Sequence, residues 1–397
     1  SPARSGRDAV SPIQGLGAVR QDLFAEQVTP RELGKWGEMM DMGIAEYMQT
    51  YPERFRRRVR RGVPQRYRWQ VWMAKVGVLN TDVLLKKYAK ICGPVNGSTK
   101  AIDTDVCRTL PDLFTSKESK QALHRVLNAY AAHNPQVGYC QGMNFVAAFL
   151  LLVSNFREDE CFAVLCRLMD SPEFGLTGFY RDSLPLLWRY LQACDELLAN
   201  AAPDVRDHFI KESVQPGVYL HQWFLTLFIN SLPMPMVLII WDGIICEGLP
   251  VILRIVVSML EVLKVSLLNM HFEDIIKFFK SMKTFGDGEG NLNVARVGQL
   301  LMRQTERVSI PEQTMQYLAN EEVQEHMWEV NGPHAVSDDS QGFGSNFNSS
   351  PWIRPGGLRH RIVCWLSFGS SRRRSSASLL ADTGPSRTWS RPRCFRA

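Results

Sequence analysis

Two polar side chains stand where chemistry on a phosphate is feasible. Gln141 lies in Tyr130-Ala-Ala-His-Asn-Pro-Gln-Val-Gly-Tyr-Cys-Gln-Gly-Met-Asn144, between turn-forming residues and the start of a long apolar helix. Arg108 lies 33 positions earlier, in Ile102-Asp-Thr-Asp-Val-Cys-Arg-Thr109. This segment ends just before Leu110-Pro111, where the restriction on a residue before proline should interrupt a helix. An Arg and a Gln, each presented from a helix end or turn, can meet a phosphate, the guanidinium through its charged fork and the carboxamide by accepting and donating hydrogen bonds. Asp105 and Arg108 are three apart, so a carboxylate can hold the guanidinium in place. That spacing alone equally describes a local surface ion pair, which is common and worth little.

The elements around these residues read as helices. Leu123, Val126, Leu127 and Tyr130 follow i, i+3, i+4, i+7, as do Leu187, Tyr190, Leu191 and Cys194. Phe145–Val153 is apolar nearly all round, so it should be a buried helix and a rigid base for Gln141. Its N-terminal end points a positive dipole toward the same loop, where a phosphate would be welcome. Gly138 and Gly142 flank Tyr139–Gln141 and permit close backbone approach. Asn134 and Asn144 should fix the turn through side-chain-to-backbone hydrogen bonds.

Breaks fall at Gly93–Ser98, Asn134–Gly142, Pro216-Gly217, Pro233–Pro235, Gly248–Pro250 and Gly286–Gly290, and no strand alternation intervenes. The fold class is all-α. Arg31–Tyr51 should form one helix with Trp36, Met39, Met40 and Ile44 along one side. Residues 1–30 read as a flexible lead-in. After about Asn331 the composition shifts to Ser, Gly, Arg and Pro, with isolated Trp352, Trp365 and Trp389, and reads as a disordered tail.

Composition narrows the function classes. The chain has 397 residues with 45% apolar content, enough for one large or two small globular domains plus tails. The longest apolar runs, Phe145–Val153 and Met236–Trp241, fall far short of the ~18 residues that span a bilayer. No apolar core of a secretory signal is visible. Nine cysteines without a CxxC pair suggest reduced thiols in a cytosolic compartment, and Cys140 reads as a small filler. The net charge is +6, but residues 332–397 carry ten Arg against Asp338, Asp339 and Asp382, a balance of +7 that leaves −1 for residues 1–331. A nearly neutral body disfavours nucleic-acid binding.

Autonomous catalysis is also disfavoured. Gly93-Pro-Val-Asn-Gly-Ser-Thr-Lys100 lacks the Lys directly after the second Gly that a phosphate loop needs. Asp287-Gly-Glu-Gly-Asn291 has Leu292 and Gly298 where a calcium loop needs Gly and Glu, so it reads as a turn. No metal-ligand spacing and no Gly-x-Ser-x-Gly elbow occurs. Arg61-Gly62-Val63-Pro64 should start a helix carrying Arg68 and Trp72 four apart, as a structural stacked pair.

Three blocks, in order, resemble the TBC domain, the family of GTPase-activating proteins for Rab GTPases. They are Arg60 to Trp72, with Gly62-Val63-Pro64 and Arg68; Ile102, Asp105, Arg108 and Thr109; and Tyr139, Gln141, Gly142 and Met143. Trp223 to Phe228, Trp241-Asp242 and Glu247-Gly248 look like the same domain's second half. The resemblance implies a single large domain of two packed helical subdomains over residues 56–285. Before it comes an extension with one helix (1–55); after it come a helical segment (286–331) and the Arg/Ser-rich tail (332–397).

The resemblance further implies that Arg108 is an arginine finger beside a Rab-bound GTP and Gln141 a glutamine finger orienting water. Asp105, Arg68, Trp72, Asn134, Gly138, Tyr139, Gly142, Trp241 and Asp242 would support them. Neither cofactor nor metal would belong to the chain itself, since GTP and Mg²⁺ would come with the partner, a Rab-family GTPase. The chain would be cytoplasmic, with peripheral contact on endomembranes, and would regulate vesicle trafficking. His133 and Ile239 depart from the family pattern, where an aromatic hydroxyl and an Arg are frequent. Pro172–Tyr219 should be the variable part, with Phe179-Tyr180-Arg181 and Trp188 read as core. The alternative function is a non-catalytic Rab-binding scaffold. A third reading gives Arg54–Arg61 or Arg372–Arg374 a weak acidic-membrane or nucleic-acid contact.

Overall fold

The computed structural model describes residues 29–78, 83–285 and 291–319, and every regular element among them is helical. Most of the lead-in, the Gly286–Gly290 turn and everything from residue 320 onward, including the three isolated tryptophans and Arg372–Arg374, lie outside the described residues.

Helix α1 (Pro30–Met42) starts at a reciprocal cap. The Glu32 N–H donates to Thr29 Oγ1 at 3.3 Å and the Thr29 N–H donates to Glu32 Oε2 at 3.0 Å. The single helix expected over Arg31–Tyr51 is in fact two. Gly43 at φ +94° ends α1, and α2 (Ile44–Thr50) begins at once. Only glycine takes that backbone without strain, and the turn brings Trp36 and Met39 together with Ile44 and Tyr47. Pro52 then opens α3 (Pro52–Val59), whose Phe55 and Val59 complete this small cluster with Val63 and Val71. A boundary between residues 55 and 56 therefore falls inside a helix.

The main body follows with α4 (Gln65–Lys75), α5 (Val83–Ile91), α6 (Thr99–Val106), α7 (Lys117–His133), α8 (Met143–Val153) and α9 (Glu158–Asp170). Every residue of α8 is buried. Each of its large apolar side chains contributes about 1.5–3 kcal/mol by leaving water, so α8 is a fixed base for whatever its N-terminus carries. In α7, Leu123, Val126, Leu127 and Tyr130 are all buried, as the period predicts.

The second half comprises α10 (Pro185–Ala201), α11 (Pro203–Lys211), α12 (Pro216–Leu225), α13 (Met234–Glu247), α14 (Val251–Leu267) and α15 (Phe272–Ser281). Proline opens α10, α11 and α12, where its missing N–H costs nothing. The last described elements are α16 (Asn291–Gln304) and α17 (Glu312–Ala319). Helix α16 lies tightly on α13: a Cβ on Gly243 has no room beside Met302, and one on Gly298 would sit 3.3 Å from Met236 Cα. One continuous apolar core runs from Trp69 to Leu318, so the two halves form one packed body.

Candidate functional site

A buried carboxylate joins the start of the domain to its second half. Asp242 of α13 is fully buried, and its Oδ1 accepts from Arg68 Nε at 3.0 Å and Trp72 Nε1 at 2.9 Å. Its Oδ2 accepts from the Val63 N–H at 2.9 Å and Arg68 Nη2 at 3.3 Å. Burial pushes this carboxyl up, and the Arg68 guanidinium with the N–H donors opposes that. Arg68 and Trp72 do share a face, but they converge on Asp242 instead of stacking on each other, which corrects the stacked pair expected from sequence. A carboxylate with four donors competes better for both side chains than a ring–cation contact does. Trp241 stacks on Trp72 with ring centroids 5.8 Å apart and donates Nε1 to the Leu227 carbonyl at 3.1 Å. This props the turn in which Leu227 and Phe228 take positive φ.

Helix α6 ends at Val106, and Leu110 before Pro111 turns the chain at φ +40°. Arg108 therefore sits on a turn, with its side chain 28% exposed. Its Nη2 contacts Asp105 Oδ1 at 2.5 Å, while the other oxygen of the buried Asp105 accepts the Tyr139 hydroxyl at 2.5 Å. One carboxylate thus ties the Arg108 turn to the loop that carries Gln141. Burial and the adjacent Asp105 charge hold the Tyr139 phenol far above its ordinary value, so it remains a proton donor.

A second link runs beside the first. Asn144 Nδ2 donates to Thr109 Oγ1 at 2.7 Å, Thr109 donates to the Asp105 carbonyl at 2.7 Å, and Asn144 Oδ1 accepts the Gly142 N–H at 2.9 Å. The loop itself is tightly specified. Gly138 has φ +61° and donates its N–H to the Asn134 carbonyl at 2.9 Å, and Asn134 Oδ1 accepts the Val137 N–H at 3.4 Å. Gly142 has φ +114°, and a Cβ there would lie 2.9 Å from the Leu225 carbonyl oxygen and 3.3 Å from Tyr180 Cε1.

Between these anchors Gln141 is half-buried, and among the described residues its carboxamide has no hydrogen-bond partner. Burial pushes the neighbouring Cys140 thiol up to about 11, so it is no nucleophile. Among the described residues no group of His, Cys, Asp or Glu is arranged to hold a metal ion.

The sequence residues thus fall into two centres. Asp105, Arg108, Asn134, Gly138, Tyr139, Gln141 and Gly142 form one linked unit, and Arg68, Trp72, Trp241 and Asp242 form a separate interior lock. Sequence reasoning missed Tyr180 as a strut: its hydroxyl donates to the Leu225 carbonyl at 2.8 Å and braces the backbone against which Gly142 packs. Only the three-dimensional pairing reveals that role; the buried Phe179 and Tyr180 fit the core reading, whereas Arg181 is exposed and Trp188 half-buried. His133 engages Lys87 through Nδ1 at 2.8 Å, and Ile239 is core beneath Gly62. No described helix is long and apolar enough to cross a membrane.

Comparison with known proteins agrees with this architecture. The chain is 31% identical over 244 residues to the Ecotropic viral integration site 5 ortholog of Drosophila melanogaster, covering 60% of this chain and 30% of that protein. It is 31% identical over 281 residues to the Rab GTPase-activating protein tbc-11 of Caenorhabditis elegans, covering 68% and 28%. The chain thus spans under a third of the length of either relative. The crystal structure of the Chlamydomonas flagellar RabGAP TBC domain superposes with a TM-score of 0.59 at 23% identity, over 74% of this chain and 95% of that one. The Rab-GTPase-TBC domain profile matches residues 65–268, which hold both the interior lock and the Arg108–Gln141 unit, and the chain belongs to that family.

Proposed function

We propose that this chain activates GTP hydrolysis by a Rab-type small GTPase, supplying Arg108 and Gln141 in trans. The observation that carries the reading is the Asp105 carboxylate, which holds Arg108 on one oxygen and Tyr139 on the other and so couples both candidate fingers in one rigid unit. The partner brings GTP and Mg²⁺; this chain brings a guanidinium and an amide. Arg108 leaves Asp105 for the phosphoryl oxygens, where charge develops between the β- and γ-phosphates. A finger of this kind is worth about 10³–10⁵ in rate, or roughly 4–7 kcal/mol of barrier.

Gln141 accepts a hydrogen bond from the attacking water and donates to a phosphate oxygen. Its role is to position and not to deprotonate, because an amide has no useful basicity. The unpartnered carboxamide suits this task, since no internal bond must break first. In the cell such a protein would work in the cytoplasm, acting on Rab-marked endomembranes in vesicle trafficking.

The test is single-turnover hydrolysis across a panel of GTP-loaded Rabs. Arg108→Ala and Gln141→Ala should each abolish stimulation while circular dichroism shows the fold retained, because both side chains reach solvent. Full activity in either variant removes the mechanism. Tight Rab binding without acceleration by the unmodified chain would establish the scaffold reading instead.

A further inference from the structure

Eight arginines lie between Arg54 and Arg68, and the fold sorts them by partner. Arg60 donates Nε and Nη2 to Glu247 at 2.7 and 2.8 Å and Nη1 to Glu306 at 2.6 Å. Arg68 is locked on Asp242, and Arg56 pairs with Glu53 at 3.1 Å. Arg54, Arg57, Arg58 and Arg61 follow i, i+3, i+4, i+7, so they share one face of α3 and its C-terminal turn. Together with Lys35 of α1 they line a cavity of about 300 Å³ based on Trp36 and Gly62.

None of these five cations has a carboxylate partner among the described residues. The one acid in the lining, Glu32, is engaged at Oε2 by the Thr29 N–H and hydroxyl at 3.0 and 2.9 Å. Arg54 rests over the Tyr51 ring at 5.2 Å. Most tellingly, Arg58 Nη1 is buried with no hydrogen-bond acceptor.

Like charges at this spacing repel, and a buried guanidinium N–H without an acceptor is costly. The helix C-terminal dipole offsets part of the repulsion but supplies nothing to Arg58 Nη1. An anion in the cavity would offset the repulsion and offer acceptors to the guanidinium forks that line it. Five cations and one carboxylate leave +4. Each phosphate monoester carries about −1.5 to −2 at neutral pH, so two or three phosphates balance the site. Guanidinium forks match phosphate oxygens bidentately. Because these cations line a concave cavity, a compact anion that enters it meets several of them at once, whereas a flat acidic protein surface does not. Trp36, edge-on to Phe55 at a centroid distance of 6.2 Å, makes the base rigid.

We propose that this cavity binds a compact polyphosphate of the kind carried on a phosphorylated inositol ring, either as a lipid headgroup or as a free soluble molecule. The site is separate from the Arg108–Gln141 unit and stands whether or not the chain accelerates hydrolysis.

The full chain is titrated calorimetrically with inositol trisphosphate, and its flotation is followed with vesicles containing phosphatidylinositol bisphosphate or charge-matched phosphatidylserine. Saturable binding is expected, weakened about tenfold or more by Arg58→Gln and by Arg57→Gln/Arg61→Gln. The partnered control Arg56→Gln should stay within about twofold. Recruitment to bisphosphate vesicles over phosphatidylserine identifies a lipid headgroup; trisphosphate binding without recruitment identifies a free ligand. The proposal is overturned by no saturable binding, by equal recruitment to phosphatidylserine, or by full affinity in the Arg57→Gln/Arg61→Gln variant at an unchanged melting temperature. That variant alters exposed side chains, so it should stay folded.

Discussion

Gly142→Ala probes how firmly the loop holding Gln141 is fixed. The backbone there, φ +114° and ψ −40°, lies where a side chain costs about 1–3 kcal/mol in strain. The added methyl would also lie 2.9 Å from the Leu225 carbonyl oxygen, a backbone atom that the Tyr180 hydroxyl already holds. Neither neighbour is the free end of a flexible chain, so the loop must move. Strain and displacement together should lower unfolding free energy by about 2–4 kcal/mol, a large share of a typical domain's stability. A shift of about 1 Å at Gln141 should cost on the order of 10²-fold in stimulated hydrolysis. Urea unfolding reads the first quantity and single-turnover hydrolysis the second. Gly97→Ala is the control, because its new Cβ would meet nothing within 4 Å. A Gly142→Ala protein with normal stability would refute the packing argument. One with lowered stability but an unchanged rate would refute the link from this glycine to catalysis.

Other outcomes follow from the same contacts. Asp242→Ala leaves the buried Arg68 guanidinium uncompensated and should cost about 3–5 kcal/mol in urea unfolding; a loss below about 1 kcal/mol would show that the lock is not structural. Tyr139→Phe removes one donor from Asp105 and should slow stimulated hydrolysis about tenfold with little change in half-saturating Rab concentration, and a pure binding defect would count against a positioning role. His221 is buried, and burial holds its imidazole below the ordinary 6.5. The unfolded chain therefore binds the proton more readily, so stability should fall as pH drops below about 6.5 and level off below the folded value. His221→Gln should flatten that part of the melting-temperature profile, and an unaltered slope would assign it to other groups.

What could be read from the sequence was local. The burial of α8 follows from its unbroken apolar run, and the turn at Arg108 from Leu110-Pro111. The loop's glycines announced themselves because positive φ needs them. The break at Gly43 was not legible: a lone glycine in a helical pattern costs only about 1 kcal/mol, and the apolar stripe runs on through Ile44. The Arg68–Trp72 pair was misread for a related reason. Its true partner is 174 positions away, and no spacing rule reaches across that separation. The Asp105–Tyr139 bond, 34 positions apart, is equally non-local, yet both its ends lay in motifs whose residue types suggested them.

Two Arg–Asp pairs of this domain, Arg68–Asp242 and Arg108–Asp105, stand in different surroundings, and the difference bears on what each can do. In the Arg68–Asp242 pair the side chains are 2% and 0% exposed, and in the Arg108–Asp105 pair 28% and 7%. Two unit charges about 4 Å apart attract by roughly 1 kcal/mol in water and about 4 kcal/mol near a protein surface, and more strongly as water is excluded. Arg68 cannot leave Asp242 without stranding a charge in the core, so that pair fixes structure. Arg108 meets water on one side, and Asp105 keeps the Tyr139 hydroxyl as a donor if the guanidinium departs. A phosphate presented by a docked partner offers Arg108 more negative charge than Asp105 does. Transfer from one anion to the other then costs little, and the residue proposed to act in trans is the one whose ion pair can open.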